Sequence, residues 1–256
     1  MAHDIEYKIH GDDMQIVEIE LDPGEAVRAE AGAMMFMEEG IEMETSTEGG
    51  LFKGFKRMLT GESFFITTFL NNGSGKKHVS FGAPYPGKII PLELDTLGGE
   101  FLCQKDAFLC AAKGIEIEVA FTKKMGAGIF GGEGFILQRL VGDGLSFVHA
   151  GGAIIKKTLG PRKTLRVDTG CLVAFAHTVD YDIQFISGFK NALFGGEGLF
   201  LAKLTGPGIV YLQSLPFSRL ADRILAAATF KSRGESRGLG GFGGGLLGGF
   251  LQGDHN

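Results

Sequence analysis

Three acidic residues stand in near-identical surroundings: Glu62 in Thr60-Gly61-Glu62-Ser63-Phe64-Phe65, Glu133 in Gly131-Gly132-Glu133-Gly134-Phe135-Ile136, and Glu197 in Gly195-Gly196-Glu197-Gly198-Leu199-Phe200. A carboxylate inside a glycine turn either accepts amide hydrogen bonds from its own turn or holds a charge out toward a cation. If three such turns were set around an axis in each of several subunits, Glu62, Glu133 and Glu197 would form a ring able to take cations or basic segments. The turn-stabilising role is the expectation, and the ring of acids is the candidate site kept beside it.

Other chemistries lack their context. Gly126-Ala127-Gly128-Ile129-Phe130-Gly131 fits the dinucleotide pattern Gly-x-Gly-x-x-Gly. That pattern needs a helix opening at the third glycine to hold a pyrophosphate, whereas Phe135-Ile136-Leu137 reads as a strand. Gly73-Ser74-Gly75-Lys76-Lys77 resembles a phosphate loop only superficially, because position 70 is Leu rather than Gly; it reads as a hairpin turn. The six histidines, His3, His10, His78, His149, His177 and His255, contain no His-x-His pair and no His-Glu-x-x-His helix. His78 and His149 fall in roughly corresponding stretches, and a structural role is expected for both. Cys103, Cys110 and Cys171 lack Cys-x-x-Cys spacing and sit in strand-like segments, as reduced core thiols would. No Gly-x-Ser-x-Gly elbow is present. The expectation is a protein without catalytic residues, cofactor or metal.

The elements that carry the glutamate turns recur with them. Upstream of each turn lie Val27-Arg28-Ala29-Glu30-Ala31-Gly32-Ala33-Met34, Phe101-Leu102-Cys103-Gln104-Lys105-Asp106-Ala107-Phe108, and Leu165-Arg166-Val167-Asp168-Thr169-Gly170-Cys171-Leu172. Their columns agree in chemistry and fit a strand interrupted by a tight turn before a small buried residue. Alternating segments precede these blocks, from Gln15 to Leu21, Ile89 to Leu94 and Ile154 to Leu159. Apolar runs follow the turns, from Lys77 to Gly82, Leu145 to Ala150 and Ile209 to Gln213. Ile5 to Ile9 resembles one more copy of that last run, so closure is expected, either within the molecule or across a subunit boundary. Self-similarity at roughly 60 to 75 residues implies one supersecondary unit used three times. The units are drawn at about 1–86, 87–152 and 153–215 within a single domain over 1–215.

Composition agrees with an all-β chain. Glycine supplies 42 of 256 residues, and Phe is frequent at 22 while Trp is absent; the glycines punctuate period-2 runs such as Ile115 to Val119 and Tyr181 to Phe185. Two stretches read as helix. Leu51 to Leu59 gathers Leu51, Phe52, Phe55, Met58 and Leu59 on one face, and a C-terminal amphipathic helix is drawn over 216–233, with Pro216 tolerated in its first turn. Residues 234–256 form a glycine-rich tail with apolar side chains. Arg219 and Arg223 on the helix, with Leu246, Leu247 and Phe250 on the tail, are the candidate docking element for a protein partner or a membrane surface. A net charge of -5 opposes the broad basic surface that nucleic acid requires, so RNA is disfavoured. No basic and apolar leader is seen at Met1 to Glu6, and no apolar run is long enough to span a bilayer. A cytoplasmic protein is expected, with peripheral contact at the inner face of the membrane as the variant that the tail allows.

The threefold Gly-Glu turn, the block Gly24-Glu25-x-Val27-x-Ala29-Glu30-x-Gly32-Ala33-Met34 and the motif Phe194-Gly195-Gly196-Glu197-Gly198-Leu199 together resemble the bacterial branch of the altered inheritance of mitochondria protein 24 family, over about residues 1 to 230. The resemblance implies a tryptophan RNA-binding attenuator-like β-sandwich repeated three times around a pseudo-threefold axis. It implies a homotrimer with nine similar modules in a ring, and in fungal relatives a link to mitochondrial inner-membrane organisation. It brings no catalytic residue with it, and it does not cover the glycine-rich tail. The reading is therefore a non-enzymatic scaffold or binding protein. A sensor or enzyme holding a small ligand at a module interface is the alternative.

Overall fold

The computed structural model describes residues 1–45, 66–83, 85–123, 135–186 and 199–227. Chain contacts divide it into Met1–Phe217 and Ser218–Asn256. The first unit is built of nineteen described strands in four antiparallel sheets. In chain order the first seven are β1 (Glu6–His10), β2 (Ile16–Leu21), β3 (Ala26–Glu30), β4 (Met34–Met37), β5 (Ile41–Thr45), β6 (Ile66–Asn71) and β7 (Lys77–Gly82). Then follow β8 (Gly87–Glu93), β9 (Glu100–Gln104), β10 (Phe108–Ala112), β11 (Glu116–Lys123), β12 (Phe135–Val141) and β13 (Leu145–Gly151). The last six are β14 (Ile154–Leu159), β15 (Thr164–Asp168), β16 (Leu172–Ala176), β17 (Asp180–Ile186), β18 (Leu199–Thr205) and β19 (Gly208–Gln213).

The sheets are ordered β1-β2-β7-β4, β5-β6-β3-β10-β13-β8, β11-β12-β9-β16-β19-β14 and β15-β18-β17. Their sequences explain the faces. In β2, Ile16-Val17-Glu18-Ile19-Glu20-Leu21 buries Val17, Ile19 and Leu21 and turns Glu18 and Glu20 away, as period 2 dictates. Rings tie the sheets together: Phe69 on β6 meets Phe81 on β7 edge-on at 5.1 Å, Tyr7 on β1 meets Phe147 on β13 at 4.9 Å, and Tyr181 on β17 lies 5.3 Å from Phe175 on β16. Six phenylalanines, Phe69, Phe81, Phe101, Phe135, Phe147 and Phe175, are fully buried. In a chain without Trp they supply the largest share of core volume per side chain.

The interrupted strands take a definite form. Short 3-10 turns at Ala31–Ala33, Lys105–Ala107 and Thr169–Cys171 separate β3 from β4, β9 from β10 and β15 from β16. Ala33 and Ala107 are buried there, while Cys171 is only half-buried and lies in the turn rather than in a strand. Each of β4, β10 and β16 then pairs with β7, β13 or β19, and each pairing skips its second residue in a bulge.

One expectation is corrected. The Gly73 to Lys77 segment is no hairpin: it carries the chain from β6 in one sheet to β7 in another. Buried Asn71 fixes this crossing by donating to the Leu21 and Gly75 carbonyls, both at 2.7 Å, and accepting from the Gly73 amide at 3.0 Å. The N-terminal segment, β1, does its closing inside the chain, pairing with β2 from Glu6↔Glu20 to His10↔Ile16.

Helix α1 covers residues 217–227, all but Phe217 in the second unit, and begins directly after Pro216, where a missing amide is tolerated. No described helix is long and apolar enough to cross a membrane. The helical reading of Leu51 to Leu59 lies outside the described residues.

Candidate functional site

Two interior strands and one edge strand share a local design and differ in what lies beside them. β10 is paired with β13 on one side and β3 on the other, and β16 with β19 and β9. Every residue of both is buried. β4 is paired with β7 and, among the described residues, with nothing on its other side. Its Met35, Phe36 and Met37 are exposed at 57%, 44% and 38%. The strand that β3 and β9 lead one to look for is β15, and β15 is itself a sheet terminus, paired among the described residues only with β18. Thr164 and Arg166 on it are exposed, and Val167 is buried. An apolar edge with unpaired amides and carbonyls is a template for a further strand.

The β3–β10 junction contains a second cluster. His149 on β13 is 2% exposed, its Nδ1 has no hydrogen-bond partner, and the Tyr85 ring stands edge-on to it at 4.5 Å. Phe217 lies 5.4 Å beyond Tyr85. Gly87 makes room for the imidazole: a Cβ there would come within 2.5 Å of its Cε1 and Nε2. Burial lowers the His149 pKa to about 4, so the ring is neutral at pH 7. Burial pushes the Tyr85 hydroxyl up to about 12, assisted by the charges of Asp106 and Glu30, and burial followed by the Asp106 charge also raises Glu30. The β9–β16 junction is satisfied instead. There Gln213 on β19 accepts from the Gly151 amide at 2.8 Å and donates to the Gly170 carbonyl at 2.8 Å.

The structure does not bring His78 and His149 together. His78 lies on β7 in the first sheet, between Glu20 and Glu38 at 3.3 Å each, while His149 lies in the second. The His78 amide holds Glu38 below the ordinary carboxylate range, and Lys76 does the same for Glu20. Cys103 and Cys110 are fully buried, and burial raises both thiols, Cys103 to about 12, which leaves little thiolate for metal binding or redox exchange.

Glu62, Glu133 and Glu197 lie outside the described residues, as do Leu246, Leu247 and Phe250 and the Gly126 to Gly131 motif. The sequence segments holding the three glutamates join the paired strands β5 and β6, β11 and β12, and β17 and β18. Arg219 and Arg223 are exposed on α1. Sequence reasoning passed over β4, since Met34-Met35-Phe36-Met37 looks like core. Aligning it with Phe108-Leu109-Cys110-Ala111 would not have revealed the missing neighbour.

The chain matches the family described as mitochondrial biogenesis AIM24 over residues 7–215. It is 30% identical over 217 residues to an uncharacterized protein of Streptococcus pyogenes serotype M6, covering 82% of this chain and 85% of that one. A crystal structure of a protein from Streptococcus pyogenes superposes with a TM-score of 0.71 at 26% identity, covering 87% of this chain and 99% of the other.

Proposed function

This chain belongs to the mitochondrial biogenesis AIM24 family, and on that premise we propose that it is a non-enzymatic scaffold whose three tandem modules, set about a pseudo-threefold axis, assemble head to tail into a homotrimeric ring. The observation that carries this reading is the open β4 edge beside its paired counterparts β10 and β16. In the closed junctions Cys110 stands opposite Ala29 and Ala111 opposite Arg28, and likewise Ala174 opposite Cys103 and Phe175 opposite Leu102. The same register places Phe36 of one subunit opposite Val167 of the next, and Met37 opposite Arg166. Charge favours the match. Residues 1–86 carry 15 acidic and 7 basic side chains, whereas residues 153–215 carry 4 acidic and 7 basic, so the two ends attract. Such a contact joins different surfaces and closes only as a ring.

A disulfide tests the register. Directly opposed residues in an antiparallel pair have Cα atoms about 4.5–5.5 Å apart, within reach of a disulfide. The double variant Met37→Cys/Arg166→Cys should form a covalent three-chain species under oxidation, while either single variant should not. A covalent ladder without closure, or monomer alone, would overturn the ring.

Docking through Arg219, Arg223, Leu246, Leu247 and Phe250 completes the scaffold reading. Deletion of 216–256 should abolish flotation with anionic liposomes, and flotation that persists would remove the tail from the account. A second reading rests on His149: a neutral imidazole whose Nδ1 lacks a hydrogen-bond partner, beside Tyr85 and the Glu30 and Asp106 charges, suits a small polar ligand at the first module junction. A fixed extra mass on the native protein that disappears in His149→Gln would favour it.

A further inference from the structure

The β4 edge is rich in one reactive group. Met34, Met35 and Met37, all on this one strand, are three of the eight methionines in the chain. Met35 and Met37 are exposed in the subunit. Their counterparts on the paired strands, Leu109 and Ala111 on β10, and Val173 and Phe175 on β16, are 0 to 2% exposed and contain no sulfur. The sulfur of Met35 lies over β7, 3.1 Å from where a Cβ on Gly82 would stand. The strand that the ring must cover is therefore the one that carries accessible thioethers.

We propose that Met35 and Met37 are oxidant-sensitive modification sites that gate assembly: a peroxide converts them to sulfoxides in the free subunit, and the modified β4 no longer accepts β15. This rests on the pairing reading above. In the step, a thioether lone pair attacks one peroxide oxygen, an S–O bond forms as the O–O bond breaks, and the departing hydroxide takes the proton from the sulfur-bound hydroxyl, leaving the sulfoxide and water. The sulfur loses two electrons and the peroxide gains them. A sulfoxide replaces a soft apolar tip with a strong, fixed dipole. At positions that pairing buries, that oxygen loses water and finds no donor, which weakens association by roughly ten- to a hundred-fold per site. Assembly in turn shields the sulfurs, so oxidation and pairing exclude each other. The change is reversible, since sulfoxide reductases return the thioether at the expense of thiols.

The test treats the full-length protein with hydrogen peroxide, once diluted to free subunits and once assembled, then reads site-resolved mass and native oligomer mass. Fast addition of one oxygen each at Met35 and Met37 in the dilute sample is expected, with slow addition in the assembled sample and failure of the modified chains to reassemble on concentration. Met35→Leu/Met37→Leu should assemble and remain assembled after peroxide, while still gaining oxygen at Met14 and Met43. Unoxidised protein that stays monomeric when concentrated would overturn the pairing, and the gate with it. Protein that assembles normally but keeps its assembly after both sulfurs are oxidised would overturn the gate alone.

Discussion

β16 and β4 each present a short apolar strand after the same kind of turn, and one is core while the other is surface. The difference lies in the neighbour. β9 covers β16 and buries Ala174 completely, whereas no described strand covers the equivalent edge at Phe36. Burial is thus a property of the pairing and not of the side chains. The contrast with β14 sharpens the point. β14 is also a sheet terminus, and it exposes Lys156 and Lys157, a charge pattern that discourages edge-to-edge association. β4 has no such guard.

The comparison breaks most visibly under a charge. Ala174→Lys puts an ammonium into a fully buried site and should cost the chain more than about 4 kcal/mol, enough to unfold it in urea titrations. Phe36→Lys should leave subunit stability within about 1 kcal/mol and abolish the proposed trimer by native mass. Equal effects at the two positions would dissolve the distinction between core and edge.

The next largest effect compares the two closed junctions. His149 has a pKa of about 4 against an ordinary 6.5, so the folded state disfavours the imidazolium by roughly 3 kcal/mol. Because the folded pKa of this base is depressed, its stability is full above pH 6.5 and is lost as pH falls toward 4, where the unfolded chain takes up the proton first. His149→Gln installs the side chain that Gln213 uses at the other junction. It should retain about 2–3 kcal/mol more of its neutral-pH stability at pH 4.5 than the parent does, by urea midpoints at both pH values.

Smaller changes test the open junction and one turn. Arg166→Glu should weaken association about tenfold and flatten its salt dependence, by sedimentation at two ionic strengths. Arg162 holds φ at +61 in the turn before β15, whereas the turn before β3 uses Gly24 at +89. Arg162→Gly relieves the left-handed strain at an entropic cost, and a gain of roughly 0.5 kcal/mol is expected in thermal melts.

The strands were legible because period-2 alternation and glycine punctuation survive in the letters: Ile154 to Leu159 and Lys77 to Gly82 were placed to the residue. Sheet membership was not. Nothing local distinguishes a hairpin from a crossing, and so the Gly73 to Lys77 turn was misread. The site was less legible still, because the exposure of Met35, Phe36 and Met37 goes with the lack, among the described residues, of a strand paired beside them. His149 passed as a structural residue because an unpartnered nitrogen is a property of its surroundings, set by Tyr85 and Gly87 rather than by any motif.

The two open edges are different surfaces, and this gives mixtures an unequal arithmetic. A subunit blocked only at β4 still offers β15, so it joins a neighbour and then stops the circle from closing. In the proposed ring, blocked chains would be incorporated rather than ignored, and a minority of them would spoil a majority of rings, as the cube of the intact fraction. A pool of subunits that is partly oxidised would then lose more assembly than its share of altered chains, a dominance that follows from β4 and β15 being termini of two different sheets.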